Sequence, residues 1–321
     1  MISETKLQQK IENISQKLEL RNITIIKFLK LISSQSNMTS QVLIRKTGLP
    51  QSHLYRLIQE FSDILSPKNK FISINKEFSN QVSLYVKKTI LENNLHNQKL
   101  ATIIKEILKD IQPIRPKPNR DLDQFNATIA TTIKRIIKLN KNGDLHNKKI
   151  AFLGDDDLDS VGAALSHLCN KVTVFEIDDR LNKLITKINE ENDLDIEVVK
   201  QDLRQSLDDK YLNKYDIVFT DPPYTKEGIN LFLNQAIKLI KKSYLGRIYL
   251  CYGNSDRARE REIEIQNLIL QHNLIIKSKH YQFNKYHGAQ SIGSQSSLYV
   301  LDWTPATKII QSDFIKIYTN D

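Results

Sequence analysis

Two short runs in this chain bring together residues able to do chemistry: Gly154-Asp155-Asp156-Asp157 and Asp221-Pro222-Pro223-Tyr224. Successive carboxylates attract a cation and repel a phosphate. They stand where a nucleotide-binding fold usually has the glycines that let backbone approach a pyrophosphate. Here only Gly154 has that character, so nicotinamide cofactors are disfavoured and a positive ligand, such as a sulfonium donor or a polyamine, is favoured. One of the acidic residues, Asp157 or Asp159, is expected to cap a helix beginning near Leu158. In the second run, two prolines fix φ and stiffen the loop. A carboxylate at Asp221 and a ring at Tyr224 suit the alkylation of an amine, the first accepting its hydrogen bond and the second stacking on a base or covering a cation.

Such residues need a scaffold that delivers them to one place. Short apolar runs at Lys149–Leu153, Val172–Phe175, Ile196–Val199, Asp216–Phe219 and Arg247–Cys251 alternate with helical periods. This alternation predicts a parallel sheet with crossover helices, and ligands of such sheets bind beyond the carboxyl ends of the strands. Both acidic runs directly follow a predicted strand. So does Glu176, expected to accept hydrogen bonds from the ribose hydroxyls of an adenosyl group, with Asp178 beside it; Asp178 or Asp179 is expected to cap a helix over 181–190. Asp202 follows the third strand, near where an adenine amino group would lie. The expected donor-binding set is Gly154, Glu176, Asp178, Asp202 and Asp221. Final strands at 273–280 and 297–302 leave little room for a crossover helix, so one of them is expected to run antiparallel at the sheet edge. The segment His280–Gln290 is expected to form a flap, or else a plain loop with an aromatic rim.

The amino-terminal part reads differently. Apolar residues recur at helical spacing through Ile23–Ile32, Val42–Thr47 and His53–Phe61, followed by an extended Lys70–Ile74. This resembles a winged helix, with Gln51, Ser52, His53, Tyr55 and Arg56 on its second helix. Winged helices read nucleic acid or act as docking and homodimer modules. Amphipathic stretches at 78–93 and 97–110 lead into Pro113, Pro116 and Pro118, which predict an extended linker and a domain boundary at 118/119. The fold class is therefore α/β: a helical, winged-helix-like domain over 1–118, then a Rossmann-like S-adenosyl-binding domain over 119–321 with a mostly parallel twisted sheet.

Composition narrows the classes. Residues 1–120 hold 20 Lys and Arg against 9 Asp and Glu, and residues 121–321 hold 27 against 28, so the net charge of +10 belongs entirely to the first part. That asymmetry suits a polyanion or a lysine-rich solvated surface. No stretch approaches the roughly 18 apolar residues of a membrane span, so no membrane partner is expected. Cys169 and Cys251 have no metal-ligand or disulfide spacing, which predicts core thiols, no metal and a reducing cytoplasm.

The chain further resembles the branched-chain polyamine synthase family, aminopropyltransferases that make N4-bis(aminopropyl)spermidine. The resemblance covers about residues 120–303 and rests on Arg120–Gln124 with Ala127-Thr128, Gly143-Asp144-Leu145, Gly154–Leu158 with Ser160, Asp202-Leu203-Arg204, Asp221-Pro222-Pro223 with Thr225, and Ser297-Leu298-Tyr299. It implies transfer of aminopropyl groups from decarboxylated S-adenosylmethionine to the secondary amine of spermidine, with Asp155, Asp156 and Asp157 holding and deprotonating that amine. One position departs: Tyr224 stands where the family's loop commonly has glutamate, giving the Asp-Pro-Pro-Tyr seen in amino-methyltransferases that act on nucleic-acid bases. The alternative is accordingly a methyltransferase using S-adenosylmethionine on such a base, with Asp221 and Tyr224 at its centre. A third reading is a nucleic-acid-binding regulator that senses an adenosyl metabolite or a polyamine.

Overall fold

The computed structural model describes residues 3–35, 38–68, 70–253, 259–312 and 316–319, and the chain divides into two compact units, Met1–Gln98 and Lys99–Asp321.

In the first unit, α1 (Glu4–Leu18), α2 (Asn22–Ser34), α3 (Ser40–Thr47) and α4 (Gln51–Glu60) accompany a small antiparallel sheet of β1 (Met38–Thr39), β2 (Leu65–Lys68) and β3 (Phe71–Ile74), in the order β1-β3-β2. Helix α1 forms because Leu7, Ile11, Ile14 and Leu18 make one apolar stripe and Ser3 accepts the hydrogen bond of the Lys6 amide. Thr39 caps α3 in the same way, and Gly48, at φ +76°, ends it in the left-handed region that favours glycine. The stripes meet with Phe28, Leu29, Leu43, Leu54, Leu57 and Phe61 in one core.

Helix α5 (Lys76–Asp110) begins in this unit, and the division falls inside it rather than at 118/119. The sequence predicts two helices here, but between them stand Asn94, Leu95 and His96, with no glycine or proline to break the turn. The boundary lies earlier than expected because Leu100, Ile104, Leu108 and Ile111 are buried in the same apolar cluster as Ile136, Leu139 and Val161. The proline segment is likewise no free linker, since the Arg115 guanidinium donates to the Asp156 carbonyl and the Asn119 side chain accepts from the Asp121 amide.

The second unit continues with α6 (Ile129–Lys141), β4 (Lys149–Leu153), α7 (Asp159–Ala164), β5 (Lys171–Glu176), α8 (Asp179–Glu191), β6 (Ile196–Lys200), β7 (Ile217–Thr220), α9 (Lys226–Leu239), β8 (Arg247–Tyr252), α10 (Arg259–Gln271), β9 (Ile275–Lys285) and β10 (Gln295–Asp302). Its strands form one sheet in the order β6-β5-β4-β7-β8-β10-β9, parallel through β8, with β10 antiparallel to both of its neighbours. The expected antiparallel strand is therefore β10, although β9 forms the edge. Apolar clusters cover both faces, which is why β4, β5, β7 and β8 read as near-continuous hydrophobic runs. Strand order reverses between β4 and β7, the place where such sheets open a ligand crevice. In the registers Leu153–Phe175 and Leu153–Thr220 the next residues of the three strands, Gly154, Glu176 and Asp221, come out at one level.

Candidate active site

The three adjacent aspartates, alike in sequence, are separated by the turn that carries them. Gly154, at φ +67°, starts that turn, and Leu158 ends it at φ +58°. Asp155 is buried, and its carboxylate accepts from the Asp159 amide at 2.8 Å and from the Ser160 amide and hydroxyl. It is therefore Asp155, not Asp157 or Asp159, that satisfies the first amides of α7. Burial and the nearby Asp159 charge hold its acid well above the usual carboxylate range. Asp157 is buried too, accepting from the Ala127 amide at 2.5 Å and from Arg135 at 2.7 Å. Neither residue lines the two cavities that meet at the site.

Asp156 is the exception. It lines two adjoining cavities, and its carboxylate has no hydrogen-bond partner among the described residues. Burial raises its acid strongly, and the charges of Asp157 and Asp221 push further the same way against Arg115. One cavity is walled by Gly154, Glu176, Ile177, Asp202, Phe232 and Tyr318. The other, of about 170 Å³, is walled by Phe125, Tyr224, Tyr252, Tyr286, Ile292 and Arg261. Asp123, Asp156, Asp221 and Pro223 belong to both.

In the first cavity, Glu176 accepts the Asp155 and Asp178 amides, each at 2.8 Å, so its carboxylate is fixed in place while burial raises its acid. Asp178 is turned away from this cavity. It caps α8, pairs with Arg180 at 2.6 Å and accepts from Gln124, contacts that keep its acid below the usual range. Of the two candidate caps, Asp178 and Asp179, it is thus Asp178 that serves. Asp202 reaches the cavity and is held by Arg204.

Beneath the site lies Arg135, fully buried on α6. It donates to Asp157 and Asp159 at 2.7 Å, to Asp221 at 2.5 Å, to the Tyr286 hydroxyl at 3.1 Å and to Asn284 at 2.9 Å. Its guanidinium also sits 5.4 Å from the Phe219 ring centre. A buried cation is stable only when paired and fully hydrogen-bonded, and its five bonds account for all of its donor groups. Asp221 in turn accepts from the Tyr224 hydroxyl at 2.8 Å and the Tyr286 hydroxyl at 2.7 Å, so the loop after β7 is oriented on both oxygens. Burial raises the Asp221 acid, and Arg135 opposes the shift. Burial and the Asp221 charge hold the Tyr224 hydroxyl well above its ordinary value.

Arg135, Tyr286, Asp123 and Gln124 are absent from the predicted site residues. Arg135 carried a signal, a charged residue on the apolar face of a helix beside Thr132, Ile136 and Leu139. Tyr286 comes from the segment expected to be a flap or a plain loop; residues 280–285 are instead the end of β9, and among the described residues beyond it Tyr286, Ala289 and Ile292 line the cavity. Cys251 is a core thiol as predicted, while Cys169 is half-buried.

Strand order and an acidic crevice at the carboxyl ends of β4, β5 and β7 define a Rossmann-like domain of the methyltransferase type. The family model described as the branched-chain polyamine synthase A C-terminal domain matches residues 100–320, and the chain belongs to that family. An N(4)-bis(aminopropyl)spermidine synthase of Methanocaldococcus jannaschii is 38% identical over 191 residues, covering 59% of this chain and 53% of that enzyme, so the chain matches about half the length of this named relative. An uncharacterised protein of the same organism is 29% identical over 98% of this chain and 83% of its own. The fold matches the Thermus thermophilus branched-chain polyamine synthase, solved with N4-aminopropylspermidine and 5′-methylthioadenosine, at a TM-score of 0.59 and 17% identity over 98% of both chains.

Proposed function

We propose that the chain is a transferase that moves aminopropyl groups from decarboxylated S-adenosylmethionine to an amine of a polyamine, in branched-chain polyamine synthesis. The observation that carries this reading is the pair of cavities meeting at Asp156, whose carboxylate has no hydrogen-bond partner among the described residues. The cavity with Gly154, Glu176 and Asp202 has the features of an adenosyl pocket: a backbone turn without Cβ, an anchored carboxylate at ribose height, and an acceptor for an adenine amino group. The other cavity is acidic and aromatic, as an alkylammonium requires.

An ammonium has no lone pair, so the acceptor must lose a proton before it attacks. Asp156 takes that role, because it stands on the wall shared by both cavities, where burial and the charges of Asp157 and Asp221 raise its proton affinity. The amine nitrogen then bonds to the carbon beside sulfur, the carbon–sulfur bond breaks, and its electron pair stays on sulfur as the neutral thioether 5′-methylthioadenosine. Asp221, Tyr224 and Tyr286 position the acceptor, and Asp155 and Asp157 build the turn that aims Asp156. The absence of a donor carboxylate matters, since such a group would face Asp156 and Asp221 across the shared wall. The same proposal includes a winged-helix assignment for the first unit and a cytoplasmic location.

Titration calorimetry with S-adenosylmethionine and its decarboxylated form, followed by an assay of methylthioadenosine release with spermidine, tests this. Preference for the decarboxylated donor together with turnover is expected. Tighter binding of intact S-adenosylmethionine with no methylthioadenosine formed would overturn the reading.

A further inference from the structure

From Leu20 to Gln59 the chain runs forty residues with six lysines and arginines and no aspartate or glutamate. That stretch covers α2, α3 and all of α4 but its last residue, Glu60, which is paired with Lys17, so three consecutive helices carry basic side chains with no other acid among them. In a chain with 37 acidic residues such a gap is a local feature of these helices rather than of the overall composition. Lys27 and Lys30 on α2, Arg45 and Lys46 on α3 and Arg56 on α4 are all exposed, and among the described residues Arg45, Lys46 and Arg56 form no ion pair.

Helices α3 and α4 are joined by the three residues Gly48-Leu49-Pro50, the short connection of a helix-turn-helix. Leu54 and Leu57 anchor α4 in the core of its own unit. The residues left facing out are Gln51, Ser52, Tyr55, Arg56 and Gln59, spaced to make one stripe of amide, hydroxyl, phenol and guanidinium groups. Such side chains hydrogen-bond to base edges, and an unpaired guanidinium reads guanine or phosphate. Tyr55 is 47% exposed, an aromatic ring left in water on a helix whose apolar needs are already met.

We infer that the first unit binds duplex DNA, with α4 in the major groove and Arg45, Lys46 and Arg56 on phosphates. B-form DNA is the fitting partner, because its major groove admits a helix whereas that of an A-form RNA duplex is too deep and narrow. Nothing in this binding depends on the transferase activity of the second unit, and the two can fail separately.

The test uses the full chain and a mixed-sequence 24-base-pair DNA duplex, followed by fluorescence anisotropy from about 50 to 200 mM salt. Binding is expected to weaken steeply with salt. The triple variant R45E/K46E/R56E is expected to lose at least about tenfold in affinity at the low-salt end, since each phosphate contact contributes nearly one unit to the log–log salt slope. Methylthioadenosine release should be unchanged, which also shows that the variant is folded. The control K183E/K187E on α8 reverses two charges elsewhere and should bind as the parent does. The milder Arg56→Ala should flatten the salt slope by about one unit. No binding at the lowest salt, equal losses in both charge-reversal proteins, or tighter binding to an RNA duplex of the same sequence would each overturn the inference.

Discussion

Three neighbouring aspartates with three different surroundings should give three different mutant phenotypes. Asp156 has no side-chain hydrogen bond to lose among the described residues, and its acid is already raised, so Asp156→Asn should leave thermal stability equal or higher while kcat falls about a hundred- to ten-thousandfold, the worth of a general base. Asp157→Asn removes a charge from the buried Arg135 and should lower stability by about 1–3 kcal/mol in urea unfolding, with a smaller effect on turnover in what remains folded. The same comparison applies to Arg135. Arg135→Met keeps the volume of the side chain but leaves Asp157, Asp159 and Asp221 without their cation, which should cost about 3–5 kcal/mol. Arg135→Lys retains the charge without the fork and should recover part of the stability. Its remaining defect should appear in kcat more than in KM, because the loop bearing Asp221 and Tyr224 would be held by fewer bonds.

At the scale of elements, the parallel strands were legible because burial on both faces writes them as apolar runs: β4 occupies the predicted Lys149–Leu153, and β5 to β8 differ by a residue or two at their ends. Their carboxyl ends were legible for the same reason, which is why Gly154, Asp156, Glu176, Asp202 and Asp221 were found and do line the cavities. What stayed hidden is long-range pairing. Asp155 and Asp178 carry the same side chain as Asp156, and only the fold turns them toward helix amides. Arg135 is separated by 86 residues from Asp221 and by 151 from Tyr286, distances over which no sequence period operates. The packing that sets Arg135 at its depth is also testable. A Cβ on Gly162 of α7 would stand 2.8 Å from the Ile136 side chain on α6. Gly162→Ala should therefore destabilise by about 1–3 kcal/mol and, by shifting α6, lower turnover as well, both measurable by thermal unfolding and product release.

For the whole molecule, the crowded carboxylates make stability depend on pH in the direction opposite to that of an ordinary acidic surface. Burial, opposed by Arg135 and reinforced by Asp157, pushes the Asp159 acid up to about 7, against about 3.9 in an unfolded chain. The folded state therefore holds a proton that the unfolded state has released, so this group's contribution is full below about pH 4 and is lost as pH rises through about 7. Asp155 and Asp156 are raised as well and act in the same sense. The ligand-free protein should melt at a lower temperature at pH 8 than at pH 6 in calorimetry, and the decarboxylated donor should raise the melting temperature more at pH 8, where its positive charge meets more ionised acid. The Arg135 network has one more effect. Its partners come from four stretches: the turn after β4, the loop after β7, the end of β9 and the loop that follows it. Until all four have docked, a guanidinium and its carboxylates are each better off in water. The four stretches should therefore come apart together rather than one by one, and hydrogen exchange should show the turn after β4 and the loop after β7 opening at a single free energy.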